Sequence, residues 1–146
     1  MTPFVLSCVP KADIDLLERI RLLVQSFPDG VDYGKDAYGD SITLSCHILA
    51  HAVGRVLSLD AEDGYFRPNY SHSWLKTPNG HILDVYPVGI LSGPFLVEQT
   101  MSFMSPGRHL YQPDERTWNL VAKPDMQKAI RLATEIMERL AKELKL

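Results

Sequence analysis

The hydrophobic pattern of this chain changes its period twice, and this change restricts the fold more than any other feature. Apolar residues recur at helical spacing from Ala12 to Phe27 and again from Thr43 to Leu57, which predicts two helices with one buried face each. Short aromatic and β-branched stretches follow, and Pro124 then begins a long C-terminal helical pattern. Helices on both sides of a group of strands predict an α+β fold.

A β-hairpin signature lies in the middle of the chain. Tyr70–Thr77 and His81–Val88 are rich in aromatic and branched residues, and Pro78-Asn79-Gly80 separates them. An Asn-Gly pair is favoured in tight hairpin turns, so these segments are predicted to be neighbouring antiparallel strands of a small sheet. Shorter strands are predicted at Gly64–Phe66 and Phe95–Val97, and a long surface loop at Ser105–Thr117.

Length and composition limit the possible classes of protein. A chain of 146 residues with 45% hydrophobic residues is expected to form one domain, residues 1–146, around one core. The formal net charge of −3 argues against a nucleic-acid partner. No apolar run reaches the ~18 to 20 residues of a membrane span. We therefore expect a soluble cytoplasmic protein with no membrane partner, although a secreted effector without a signal peptide would have the same pattern.

Cys46 is the candidate nucleophile. Neither it nor Cys8 lies in a disulfide or metal-binding motif, so both are expected to be thiols and no cofactor is predicted. Cys46 falls in the first turn of the predicted helix, for which Asp40, Ser41 or Thr43 could supply the cap. Unpaired N–H groups at a helix start lower a thiol pKa and can also hold an oxyanion. The sequence therefore predicts a reactive thiolate.

His72 and Asp84 are the candidate partners of that thiolate. They lie on the two hairpin strands, where facing side chains are ~4.5 to 5.5 Å apart, so an imidazole–carboxylate contact is expected. Asp84 stands between Leu83 and Val85, and a buried carboxylate is costly without a partner. Trp74 points to the same side of its strand as His72 and could shield the pair from water.

These pieces resemble the transglutaminase-like superfamily, which shares the papain-type core. The resemblance rests on Cys46 at a helix start, on His72-Ser73-Trp74, and on Leu83-Asp84-Val85-Tyr86-Pro87, and it covers residues 41–89. It implies a cysteine helix lying across a small antiparallel sheet, with Cys46 as nucleophile, His72 as general base or acid and Asp84 as the orienting residue. The implied activity is acyl transfer at a peptide or protein amide, by hydrolysis, deamidation or transamidation.

Candidate substrate-binding residues lie on both sides of the nucleophile. Tyr38, Asp40 and Ser41 are just upstream, where papain-like enzymes recruit a side chain to complete the oxyanion hole, and the sequence does not choose among them. Tyr70 and Trp74 are the candidates on the histidine strand. The stretches 65–70 and 102–111 are predicted to line the cleft. The oligomeric state is not indicated.

Two alternatives belong to other classes of function. His47 and His51 are four residues apart on one helix face and could bind zinc with His72, Asp84 or Cys46. No glutamate follows His47 as in the H-E-x-x-H motif. The chain could also be a non-catalytic binding module that keeps a papain-like fold with the triad out of register.

Overall fold

The computed structural model describes residues 11–66, 70–85 and 111–146, together with the backbone of residues 95–97. Its elements, in chain order, are α1 (Lys11–Ser26), α2 (Cys46–Leu57), β1 (Asp60–Phe66), β2 (Tyr70–Lys76), β3 (Ile82–Asp84), β4 (Phe95–Val97), β5 (Tyr111–Pro113), α3 (Glu115–Val121) and α4 (Pro124–Glu143). The predicted α+β class is confirmed, and so are the N-terminal helix and the long C-terminal helix that begins with Pro124.

The strands of the described residues form one antiparallel sheet in the order β4-β3-β2-β1-β5. The predicted hairpin is confirmed, since Leu75 pairs with Leu83 and Lys76 pairs with Ile82. Gly80 closes its turn with a φ of 82°, a conformation that favours glycine. The predicted end of the second strand, residues 86–88, lies outside the described residues.

Helix α2 packs on β1 and β2 and also against α4. This arrangement buries a core between the helices and one face of the sheet. Fully buried members of the core come from α1, α2, α4 and the hairpin: Leu17, Ile20, Leu23, Ile48, Val53, Leu75, Leu83, Ile130 and Met137. Because burying such a side chain contributes about 1.5 to 3 kcal/mol, this layer fixes the position of α2, and hence of Cys46, on the sheet.

A buried carboxylate attaches α1 to the hairpin turn. Asp13 is 1% exposed; it accepts hydrogen bonds from Thr77 Oγ1 at 3.0 Å and from Asn79 Nδ2 at 3.1 Å. His81 Nε2 lies 3.7 Å from Asp13 Oδ2. The polar residues of the turn therefore have a second role, since they hold α1 against the sheet.

The predicted loop at Ser105–Thr117 is wrong over its described part. Residues 111–113 form β5, and α3 begins at Glu115 behind an Asp114 cap that accepts from Arg116 N. Residues 111–113 are extended because they pair with β1, where Phe66 lies opposite Tyr111. A three-residue strand has too little local pattern to be recognised in the sequence. Residues 105–110 lie outside the described residues.

Gly64 allows β5 to approach β1 closely. A Cβ at position 64 would overlap the carbonyl oxygen of Gln112 and crowd the backbone of Pro113. Only glycine fits this close approach of two backbones. Strand β1 also begins at Asp60, four residues earlier than the predicted strand start at Gly64.

None of the helices in the described part of the chain combines the length and the apolar content that crossing a bilayer requires.

Candidate active site

Cys46 is the first residue of α2. The predicted helix start at Thr43 is three residues too early, and the predicted caps Asp40, Ser41 and Thr43 are wrong. Ser45 is the cap: its backbone is extended, and its hydroxyl accepts a hydrogen bond from Ile48 N at 3.4 Å. The predicted location of Cys46 in the first turn is confirmed. Its thiol is free and 8% exposed, so a largely desolvated sulfur lies at a helix start, where backbone N–H groups lack partners within the helix.

His72 and Asp84 form the predicted contact. Since Leu75 pairs with Leu83, Asp84 lies one step beyond that pair and diagonal to His72 on the same face of the sheet. His72 Nε2 lies 2.9 Å from both carboxylate oxygens of Asp84 and donates to them. Both side chains are fully buried. The other ring nitrogen of His72, Nδ1, is buried and has no hydrogen-bond partner among the described residues.

The thiol and the imidazole perturb each other. Burial acts to raise the pKa of Cys46, but interactions with His47 and His72 outweigh it and lower the pKa from 9.0 to about 6. Burial acts to lower the pKa of His72, but the hydrogen bond to Asp84 and the interactions with the Asp84 and Cys46 charges outweigh it and raise the pKa from 6.5 to about 9. Between these two values the site holds a thiolate beside an imidazolium ion.

Tyr111 is a site residue whose role the sequence did not reveal. Its hydroxyl donates to Asp84 Oδ2 at 2.6 Å. Burial, the charge of Asp84 and this hydrogen bond raise the pKa of Tyr111, so the phenol stays protonated as a donor. The contact depends on the pairing of β5 with β1, for which the sequence carries no local signal. Tyr111 also ends the predicted cleft wall 102–111, whose other residues lie outside the described part.

Aromatic side chains enclose the imidazole of His72. The ring centroids of Phe66, Trp74 and Tyr111 lie 6.0, 6.1 and 6.3 Å from that of His72. Trp74 is fully buried, and its Nε1 donates to Glu62 Oε2 at 2.9 Å. It therefore occupies the shielding position that the sequence predicted. Trp74 is also predicted to bind substrate. In this structure its side chain has no exposed surface that a substrate could contact.

A second polar cluster joins α2 to the helix-facing side of the sheet. His47 Nδ1 lies 2.7 Å from Ser73 Oγ, and His47 Nε2 lies 3.3 Å from Ser71 Oγ. His51 Nε2 lies 2.7 Å from Asp63 Oδ1. Among the described residues, no group of three or more His, Cys, Asp or Glu side chains could hold a metal ion. In the described part of the chain, His47 and His51 take part in hydrogen bonds to β1 and β2, and zinc binding stays an untested alternative.

The upstream substrate-binding candidates lie in a loop with its own contacts. Tyr38 is 89% exposed; its backbone N–H and that of Asp40 both donate to Asp36 Oδ1. Ser41 pairs with Lys35 and lines a cavity of about 340 Å³. Within the described residues, no hydrogen bond joins this loop to Cys46 or His72, and its role in substrate binding stays a prediction.

Tyr70 lies at the start of β2, two residues before His72. It is 53% exposed, and its neighbour across the strand pair is Phe66. Since alternate residues share one face of a strand, Tyr70 is on the side of the sheet that carries His72. It stays the candidate for a substrate-contacting residue on this strand.

No known protein family, curated protein or solved structure gives a significant match to this chain.

Proposed function

We propose that this protein is a cysteine-dependent acyltransferase or amidase of the transglutaminase-like type, which acts at the carboxamide of a peptide or protein. One observation carries the proposal: a buried thiol with a lowered pKa at a helix N-terminus interacts with an imidazole whose second nitrogen is held by a buried carboxylate. The three residues are Cys46, His72 and Asp84. A nucleophile with a lowered pKa, a base within reach and a third group that orients the base form the combination that covalent catalysis needs.

The first half-reaction forms a thioester. The Cys46 thiolate attacks the carboxamide carbon, and N–H groups at the start of α2 stabilise the oxyanion that develops. The C–N bond then breaks as the His72 imidazolium gives its Nδ1 proton to the leaving nitrogen. Ammonia or an amine departs, and the acyl group stays on sulfur.

The second half-reaction resolves the thioester. Neutral His72 takes a proton from water or from an incoming amine, which attacks the acyl carbon, and the thiolate of Cys46 is released. Water gives hydrolysis or deamidation, and an amine gives transamidation. The same side chains serve all three outcomes.

Asp84 and Tyr111 act through His72. The Asp84 carboxylate accepts a hydrogen bond from the Nε2–H group of His72 and stabilises the cationic form of the ring, as the orienting acid of a triad does. Tyr111 donates to the same carboxylate and limits its rotation. The aromatic rings around His72 exclude water, which strengthens each of these charge interactions.

The arrangement of α2 on the sheet supports a papain-like core. The cysteine helix lies on β1 and β2, and the histidine and aspartate lie on the adjacent strands β2 and β3. We also propose that the protein works in the cytoplasm, because its mechanism requires a reduced thiol and cytosolic reductants maintain one.

Acyl-enzyme capture tests the proposal. The wild-type protein is incubated with p-nitrophenyl acetate, and separately with glutamine-containing peptides, while intact mass and ammonia release are followed. We expect an acetyl group on Cys46, located by peptide mapping and discharged by hydroxylamine. His72→Ala should slow the acylation by about 100-fold or more.

Cys8→Ser is the matched control, since it removes the other thiol and should leave acylation unchanged. Acylation of Cys46 at the same rate in wild type and in His72→Ala would contradict the proposal. No acylation of Cys46 would favour the non-catalytic binding module.

A further inference from the structure

His47 is a second imidazole beside the nucleophile, and the two half-reactions above do not use it. It follows Cys46 in the chain, is 7% exposed, and has both ring nitrogens near serine hydroxyls of β2. Interaction with His47 is one of the causes that lower the pKa of Cys46. Both serines also form hydrogen bonds with other groups. These bonds determine which ring nitrogens of His47 must carry a hydrogen.

On the Nδ1 side, Ser73 donates its one hydroxyl hydrogen to Asp63 Oδ1 at 2.5 Å. A serine hydroxyl has one hydrogen and can otherwise only accept. Ser73 Oγ must therefore accept from His47 Nδ1, which lies 2.7 Å away. This nitrogen carries a hydrogen.

On the Nε2 side, Thr117 donates its hydroxyl hydrogen to the carbonyl oxygen of Gly64 at 2.8 Å. Thr117 must then accept from Ser71, whose Oγ lies 3.2 Å away. With its hydrogen given to Thr117, Ser71 can only accept from His47 Nε2 at 3.3 Å. All of these contacts are satisfied together only when Nε2 also carries a hydrogen.

We propose that His47 is held as an imidazolium ion by Ser71 and Ser73 and serves as a positioning residue that stabilises the Cys46 thiolate beside His72. The inference deepens the proposed function, since it concerns the same thiol. His47 has both nitrogens committed to the sheet, so it supplies a fixed positive charge. His72 keeps a free Nδ1 and moves the proton.

Charged groups from the neighbouring elements fit this role. On α2 itself, His47 has Cys46 beside it and His51 one turn later. From β1, Asp63 accepts from Ser73 and pairs with His51, which provides a buried negative charge one hydroxyl away from His47. From β2, His72 carries the other positive charge, which Asp84 on β3 balances. The network thus places two imidazoles beside the thiol, with the Asp84 carboxylate bonded to one of them and Asp63 joined to the other through Ser73.

The test measures the rate of alkylation of Cys46 by iodoacetamide against pH, in a Cys8→Ser background. The midpoint of the profile is expected near the Cys46 pKa of about 6. His47→Gln removes the charge while keeping hydrogen-bonding groups, and it should raise the midpoint by about one pH unit. His72→Gln should raise it as well.

His81→Gln is the matched control, because His81 is another buried histidine and is not among the groups that perturb Cys46. It should leave the profile unchanged. If His47→Gln keeps the wild-type midpoint while His72→Gln shifts it, the inference is overturned and the proposed function stands. If neither variant shifts the midpoint, both are overturned.

A second measurement avoids the variants, in case His47→Gln does not fold. Nitrogen-15 NMR of the wild-type protein, with labelled histidine and assignment through the backbone, reports the hydrogen on each ring nitrogen at a pH where Cys46 is ionised. Both nitrogens of His47 are expected to be protonated. One unprotonated nitrogen would overturn the inference.

Discussion

Asp84 holds two buried side chains, His72 and Tyr111, through one carboxylate. Burying an ion without partners costs several kcal/mol, and Asp84 is fully buried. His72 binds both of its oxygens, and Tyr111 adds a short hydrogen bond to one of them. Each partner therefore contributes to stability as well as to the site, and removing either leaves part of a buried charge unpaired.

Tyr111→Phe isolates the hydroxyl of Tyr111. The ring and its packing against Phe66 and Trp74 are kept, so the change removes only the hydrogen bond to Asp84. We expect urea unfolding to show a loss of about 1 to 3 kcal/mol.

Tyr33→Phe is the matched control. The hydroxyl of Tyr33 is also buried but has no hydrogen-bond partner among the described residues, so its removal should cost no stability. Equal losses in the two variants would show that Tyr111 matters only as an ordinary buried phenol.

Helix α2 links the core to the reactive thiol. Its buried face packs in the main core, and its first residue is Cys46. The orientation of the first turn, which Ser45 caps, decides how the N–H groups of that turn surround the sulfur. Stability and reactivity should therefore change together when the cap is altered.

Ser45→Ala should cost about 1 kcal/mol of unfolding free energy. Loss of the cap frees the first turn, so we also expect the midpoint of Cys46 alkylation to move to higher pH. Urea unfolding and the alkylation profile measure the two effects. Ser45→Asn keeps an uncharged acceptor at the cap and should retain both properties; an equal loss in this variant would contradict the capping role.

For the molecule as a whole, the thiolate–imidazolium pair determines part of the pH dependence of stability. The raised pKa of His72 contributes stability below pH 6.5 that is lost as pH rises through about 9. The lowered pKa of Cys46 contributes stability above pH 9.0 that is lost as pH falls through about 6. Between pH 6.5 and 9.0 the folded pair holds one proton on the imidazole, and the unfolded pair holds one on the thiol. Their combined contribution is therefore constant in this window.

Cys46→Ala should make the contribution of His72 to the pH dependence of the unfolding free energy measurable. Without the thiolate, Asp84 alone still favours the protonated form of His72 in the folded state, whereas the unfolded state releases the proton above pH 6.5. The unfolding free energy of the variant, relative to wild type, should then fall with rising pH by up to about 1.4 kcal/mol per pH unit. Urea unfolding at several pH values measures this difference. Cys8→Ser should show no such trend, and a constant difference for Cys46→Ala would contradict the coupling.

Interactions between residues close together in the sequence determined several elements of this fold. The helical periodicity of α1 and α4, the Asn79-Gly80 turn and the hairpin it closes all follow from interactions within a few residues, and the turn also set the approach of His72 to Asp84. Only the tertiary structure decided that β5 pairs with β1, bringing Tyr111 to Asp84, and that serines of β2 engage both nitrogens of His47. Those contacts join residues far apart in the chain, and their free energy comes from burial and from satisfying buried polar groups, which no local pattern encodes.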